Sequence, residues 1–200
     1  MKIEGDTLTI RPLVATDSDF VHALFSDWSH DGHDWHEGRT AHAMRGWLRA
    51  MRSPEDIPCL PTSRYRGALV IEDASGPIGV CVRTVRGREV KHNISGVNEV
   101  QLETVALLPE KRGQGIVGKE FSYLASRHAF EVLQVDASVL MKVSDMPATR
   151  KIVSRLKYQE TPAKRERHGK RFSGVFTRAE WGARVAANPE EAGMRFVYTP

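Results

Sequence analysis

The run Val105-Ala106-Leu107-Leu108-Pro109-Glu110-Lys111-Arg112-Gly113-Gln114-Gly115-Ile116-Val117-Gly118-Lys119 decides how the chain is read. A strand ends, a basic turn with two glycines follows, and a helix starts. Successive backbone N–H groups in such a turn can surround phosphate oxygens. The helix start adds unpaired N–H groups and the positive end of its dipole. Lys111, Arg112 and Lys119 add charge, and Gly113 and Gly115 allow close backbone approach. The segment reads as a pyrophosphate site. The plainer alternative is an ordinary strand-to-helix turn with solvated basic residues. The P-loop pattern GxxxxGK followed by Ser or Thr is absent. Gly113, Gly115 and Gly118 do spell GxGxxG, but that fingerprint belongs in the first βαβ unit of a parallel sheet. Here it follows a hairpin past mid-chain, with too little chain behind it for a second mononucleotide half, so dinucleotide binding is disfavoured.

Outward from that run, Val97 to Leu107 reads as a long strand. Simple alternation puts Glu99, Gln101, Glu103 and Val105 on one face. Upstream, Gly67 to Glu72 and Ile78 to Val85 flank the turn Asp73-Ala74-Ser75-Gly76-Pro77 and form a hairpin. An opening strand at 8–11, a helix over about 17–26, a polar His-rich stretch and a helix over 39–51 precede it. Downstream come a helix with an apolar stripe over 115–132, a strand at 135–143 and a helix from Pro147 to about Leu156. A strand at 158–161, a solvated charged loop at 164–171, a strand at 172–177, a helix at 180–187 and a closing strand at 194–198 complete the chain. The alternation of strands and helices after residue 97 predicts parallel crossovers, and the hairpin predicts antiparallel pairing.

Composition narrows the class. Two hundred residues with 40% hydrophobic content can build a core without metals or disulfides. We expect one α/β domain over residues 1–200, with a short C-terminal extension from about 178. Lys and Arg number 29 against 25 Asp and Glu, giving +4. This mild excess fits an anionic small molecule or a nucleic-acid surface without choosing. Cys59 and Cys81 make no metal-ligand spacing, and a reduced, cytoplasmic setting is expected. There is no secretory h-region near the N-terminus and no apolar run of about 20 residues, so no membrane partner is expected.

The order of elements and the basic Gly turn resemble the GNAT superfamily of acetyl-CoA-dependent N-acetyltransferases. That family's cofactor-loop pattern, Gln or Arg-x-x-Gly-x-Gly or Ala, is matched at Arg112 and Gly115 and departs at Val117, with Gly118 next to it. Leu8-Thr9-Ile10-Arg11-Pro12-Leu13, with Asp17 and Phe20 after it, is similar to the ribosomal-protein-acetylating, RimJ/RimL-like branch. The resemblance implies a central mixed, twisted sheet with helices on both faces, and acetyl-CoA as cosubstrate without a metal. It implies that Val105, Ala106 and Leu107 pair with the pantetheine arm. The turn amides Arg112 to Gly118, Ile116 among them, would hold the pyrophosphate, with Lys111 and Lys119 flanking them. The next strand would splay away, ending near Lys142, Val143 and Ser144. Thr149 falls at the family's Ser/Ala site on the following helix. The position of the family's tyrosine acid is Val153, so Thr149, Ser144 or water is left for that role.

An amine acceptor is protonated at neutral pH and needs a general base. Glu103 is the first choice and Glu99 the second. The alternative is that both sit on a hydrated face or hold a cationic substrate without proton transfer. Backbone N–H near Val105 would stabilise the oxyanion. In this fold the segment between the first two helices lines the substrate side. Asp31, Asp34 and Trp35 are therefore expected at the acceptor, with Gln101 and Ser144. The histidines at 30, 33 and 36 match no standard zinc spacing, and no metal is expected. Cys81 reads as core; Cys59, between prolines, could be exposed. The basic run Lys164 to Arg171 is more simply a solvated loop than a nucleic-acid contact. The reading is direct acetyl transfer to a primary amine, either a protein N-terminus or a small molecule, with a homodimer possible. The alternative is a non-catalytic acyl-CoA-binding or sensor module of the same fold.

Overall fold

The computed structural model describes residues 1–30, 58–115, 117–144, 150, 153, 154, 158–166 and 169–200. Its strands are β1 (Lys2–Glu4), β2 (Thr9–Pro12), β3 (Arg64–Asp73), β4 (Gly76–Arg86), β5 (Glu99–Leu107), β6 (Ala137–Ser144), β7 (Gln159–Glu166), β8 (Gly169–Thr177) and β9 (Val197–Thr199). Among the described residues these form one mixed sheet in the order β7-β8-β6-β5-β4-β3-β2-β1-β9. β5 and β6 pair in parallel, and the other neighbours pair antiparallel.

Helices cover both faces, as expected. Helix α1 (Ser18–His30) follows a 3-10 turn at Ala15–Asp17 and runs four residues beyond the expected end. Its Val21, Leu24 and Phe25 recur at helical spacing and bury against Ala68, Val80, Val82 and Ala106. The Arg11 guanidinium holds both oxygens of Asp17, at 2.7 and 2.9 Å, which fixes the entry to α1. Burial pushes the Asp17 carboxyl up, but Arg11 and the Val14 N–H outweigh it, so Asp17 sits below the ordinary carboxylate value.

On the opposite face, Leu69, Ile71, Ile78, Cys81, Val85, Val100 and Leu107 gather side chains from two helices. One is α2, built of wide π turns at Val117–Phe121, α-helix at Ser122–Arg127 and π turns at His128–Val132. The other is α3 (Arg178–Ala187), whose Trp181 stacks on Phe130 at 6.1 Å between ring centroids. Thr177 and Glu180 cap its start reciprocally: the Thr177 side chain accepts from Glu180 N–H and Glu180 accepts from Thr177 N–H. A short helix α4 (Pro189–Ala192) then returns the chain to β9, which joins β1.

Two expectations are corrected. The basic run at 164–171 is not simply a loop, because β7 and β8 carry it as a hairpin. Lys164 opposes Arg171 and Arg165 opposes Lys170, with a register irregularity between Thr161 and Lys164. Pro162, which has no N–H to donate, falls inside that irregularity, so the strand continues past it. Cys59 is buried rather than exposed, and burial raises its thiol to about 11. Cys81 is core, with its thiol raised to about 12.

Candidate active site

A gap opens in the middle of the sheet. β5 and β6 pair from Glu99 opposite Ala137 to Leu102 opposite Leu140, and there the pairing stops. Glu103 to Leu107 continue along β4 alone. Leu108 N–H turns toward β4, donating to Ile78 O at 2.9 Å. Backbone groups alternate along a strand, so Leu107 and Val105 present theirs to the gap.

A bulge shapes the same stretch of β5. Thr104 opposes Val82 and Leu102 opposes Arg83, which leaves Glu103 as the extra residue. Such a bulge reverses the alternation beyond it. Simple alternation put Val105 beside Glu103. Instead Val105 packs with the cluster around Cys81 and Leu107, while Ala106 faces α1. Glu103 shares its face with Thr84 and Arg66: Thr84 Oγ1 donates to one carboxylate oxygen and Arg66 Nη2 to the other.

Glu103 lines an open cleft of about 500 Å³ with Arg64, Tyr65, Arg66, Thr84 and Arg86. The cleft occupies the polar half of the face whose apolar half α1 covers. Arg64 opposes Arg86, which opposes Glu99; Arg66 opposes Thr84, which opposes Gln101. These four basic and hydroxyl partners were missed in the sequence. Their signal was Arg64-x-Arg66 and Thr84-x-Arg86, polar pairs at strand spacing beside apolar runs.

Glu99 is fully buried and fully engaged. One oxygen accepts from Arg86 Nη1 at 3.4 Å. The other accepts from the N–H groups of Ile94 and Ser95, at 3.1 and 2.9 Å, and from Ser95 Oγ at 2.7 Å. It ties the loop before β5 to the strand. Gln101 is also buried, and its carbonyl oxygen accepts from Arg86 Nη1 at 2.5 Å.

At the end of the gap lies the Gly turn. Gly113 and Gly115 have φ of +77° and +79°, the left-handed region that favours glycine. A Cβ on either would meet nothing within 4 Å, so this backbone faces open space. The side chains of the turn fold back instead. Lys111 Nζ meets Asp73 Oδ2 at 2.6 Å, Arg112 Nε donates to Leu107 O at 3.0 Å, and Gln114 Nε2 donates to Glu110 O at 2.5 Å. Lys119 lies 3.7 Å from Glu190 on the surface. Among the described residues, nothing in the chain accepts from the N–H groups of Gly113, Gln114 and Gly115. A run of amides with no acceptor among the described residues, before a helix, suits an anionic oxygen cluster such as a pyrophosphate. Val117 and Gly118 open α2 behind it.

Glu120, one turn into α2, anchors this helix to the N-terminal strands. It accepts from Thr7 N–H at 2.8 Å, from Leu8 N–H at 2.9 Å and from Thr7 Oγ1. Ser144 ends β6 opposite Arg171. Val153 is buried in the core. Asp31, Asp34, Trp35, Ile116 and Thr149 lie outside the described residues, as do His33 and His36. Among the described residues, no three His, Cys, Asp or Glu side chains gather as a metal site. No described helix is long and apolar enough to cross a membrane.

No family model matches the chain, and no curated protein does. Solved structures do match. FdhC, described as a nucleotide-linked sugar GNAT, superposes with a TM-score of 0.67 at 11% identity, covering 96% of this chain and 99% of that one. A spermidine N-acetyltransferase from Vibrio cholerae, in complex with CoA and spermine, gives 0.65 at 16% identity over 88% and 98%. RimJ from Mycobacterium smegmatis, in complex with CoA-disulfide, gives 0.62 at 14% identity over 100% and 96%. At such identities the likeness carries the architecture and nothing finer: this chain has the fold of the GNAT acetyltransferases.

Proposed function

We propose that the protein is an acetyl-CoA-dependent N-acetyltransferase acting on a primary amine. The observation that carries this reading is the sheet gap. Among the described residues, β5 from Glu103 to Leu107 has no strand partner on its β6 side, although Arg112 Nε occupies Leu107 O there, and it leads to the acceptor-free amides of Gly113 to Gly115. A pantetheine arm needs a strand edge for its amides, and a pyrophosphate needs N–H donors one arm's length on. Two of the similar structures hold CoA or its disulfide. Acetyl-CoA supplies an activated acyl thioester.

The chain's own groups then divide the work. Val105, Ala106 and Leu107 position the arm, with Val105 N–H aimed where an oxyanion would form. The amides of Arg112 to Gly118 hold the phosphates. Glu103, the first residue beyond the last β5–β6 pair, takes the proton of the incoming ammonium as the amine attacks; Thr84 orients its carboxylate. Glu99 holds the neighbouring loop in this reading. Ser144 and Thr149 are left to the thiolate side.

The test is a calorimetric titration with acetyl-CoA, paired with thiol release over an amine panel. Wild type should bind acetyl-CoA at tens of micromolar or tighter. Glu103→Gln should keep that binding and lose roughly a hundredfold or more in turnover. Absence of acetyl-CoA binding sinks the proposal. The core position of Val153, where the family carries its tyrosine acid, favours a second reading as a non-catalytic acyl-CoA-binding module. Tight CoA binding with no thiol release from any amine would support that one.

A further inference from the structure

The cleft beside Glu103 is built from arginines, and their charges are not all answered. Arg86 is held by Glu99 and Gln101, and Arg66 by Glu103. Arg64 is exposed, and among the described residues it has no carboxylate partner. It also lies directly across from Arg86 in the sheet. Like charges at opposed strand positions are destabilising. A sheet that places two arginines in one cross-strand row, with Arg66 two residues along on the same face, keeps a positive field over a concave surface.

We propose that the acceptor amine carries an anionic group, a carboxylate or a phosphate, which Arg64 and Arg66 bind while its ammonium meets Glu103. This rests on the acetyltransferase reading and narrows its substrate class. The exchange is balanced in charge. The arriving ammonium takes the place of the Arg66 guanidinium at Glu103, and the guanidinium turns to the acceptor's anion. Arginine suits this task because its planar fork meets two oxygens at once. A polycation brings no anion for Arg64 and Arg66, and it adds charge to a cleft that is already positive.

The experiment uses matched amines that differ in the anion: O-phosphoethanolamine against ethanolamine, β-alanine against propylamine, an acidic against a basic tetrapeptide, and spermidine. Thiol release and calorimetry on the acetyl-CoA-saturated protein are both read. The acidic member of at least one pair should show kcat/KM tenfold or more above its partner, and the pair that responds tells a phosphate from a carboxylate source and a small molecule from a peptide. Arg64→Gln should raise KM for that acceptor tenfold or more, leave kcat within twofold and leave acetyl-CoA affinity unchanged. If spermidine or the neutral and basic amines turn over as well as the acidic ones, the inference fails while acetyl transfer stands. If no amine releases thiol, acetyl transfer fails. Calorimetry then still decides on the anion: saturable binding of an acidic member, lost in Arg64→Gln, sustains it, and no preference over the neutral partner overturns it.

Discussion

Lys111 Nζ lies 2.6 Å from Asp73 Oδ2, so the lysine beside the Gly113–Gly115 turn is bound to the tip of the β3–β4 hairpin. The lysine, backed by a serine hydroxyl and N–H, holds the Asp73 carboxyl down at about 2, from 3.8. The charge nominated for a phosphate therefore braces the turn. Asp73→Asn should release Lys111 and raise affinity for CoA, while lowering stability by about 1 kcal/mol or less. Because the folded-state value is depressed, the pair stabilises fully above the unfolded value and fades as pH falls from about 4 toward 2. Calorimetry with CoA and urea unfolding at pH 7 and pH 3 check both halves. Weaker CoA binding in the variant would place Lys111 in its present position as the functional one.

The glycines of the turn make a sharper prediction. Gly113→Ala and Gly115→Ala meet no steric obstacle, so their cost is conformational, about 1 kcal/mol or more each. Gly96 has φ of +75° and equally open surroundings, but lies far along the chain from the turn. Gly96→Ala should cost similar stability and leave CoA affinity unchanged. The two turn variants should lose at least tenfold in CoA affinity beyond that control.

Much of this was legible because local rules and the global fold agree. The hairpin at 67–85 and the strand–turn–helix at 105–119 are written in apolar periodicity and glycine placement, and both formed where expected. The faces of β5 were not legible. A bulge adds one residue to one strand, and nothing in Gln101-Leu102-Glu103-Thr104-Val105 marks which residue is extra; register against β4 decides it. The same holds for the arginine cleft. Arg64, Arg66 and Arg86 lie on two strands, and only their antiparallel pairing shows them as one surface. Lys164 to Arg171 misled for the opposite reason. Charge density suggests solvent, yet strand pairing depends on the backbone, and β7, which carries Lys164 and Arg165, is an edge strand where charge is tolerated.

His128 offers a test of the core that needs no ligand. It is fully buried, with Arg83 Nη1 at 2.8 Å from Nδ1. Burial, then Arg83 and the N-terminal amine, push its value from 6.5 to about 2. The folded protein thus keeps this ring neutral, while the unfolded chain protonates it below 6.5. Stability from this residue is complete above that pH and is lost as pH falls, by up to about 1.4 kcal/mol per unit. By NMR, one of the eight histidines should fail to titrate between pH 8 and 5, and its resonance should vanish in His128→Gln. A ring at that resonance titrating near 6.5 would contradict the buried neutral form.

In the proposed acetyl transfer the leaving thiolate needs a proton, and Tyr158 bears on its source. Val153, the position that the resemblance to the acetyltransferases would give to a tyrosine acid, packs in the core, which makes a tyrosine five residues on a tempting substitute. The structure gives Tyr158 a different task. Its hydroxyl is 2.8 Å from Ser138 Oγ in a buried pair, and burial raises the phenol to about 12. Its ring packs on Phe176, with 5.6 Å between centroids. A donor held in a hydroxyl pair and surrounded by core side chains is poorly placed to meet a thiolate in the gap. Tyr158→Phe should therefore leave kcat within about threefold of wild type and cost about 1–3 kcal/mol of stability by stranding the Ser138 hydroxyl. Adding Ser138→Ala should recover part of that loss, since removing both partners leaves nothing unsatisfied. Urea unfolding of the two single variants and the double variant reads the coupling, and thiol release reads the chemistry. A hundredfold fall in kcat with stability intact would instead make Tyr158 the acid.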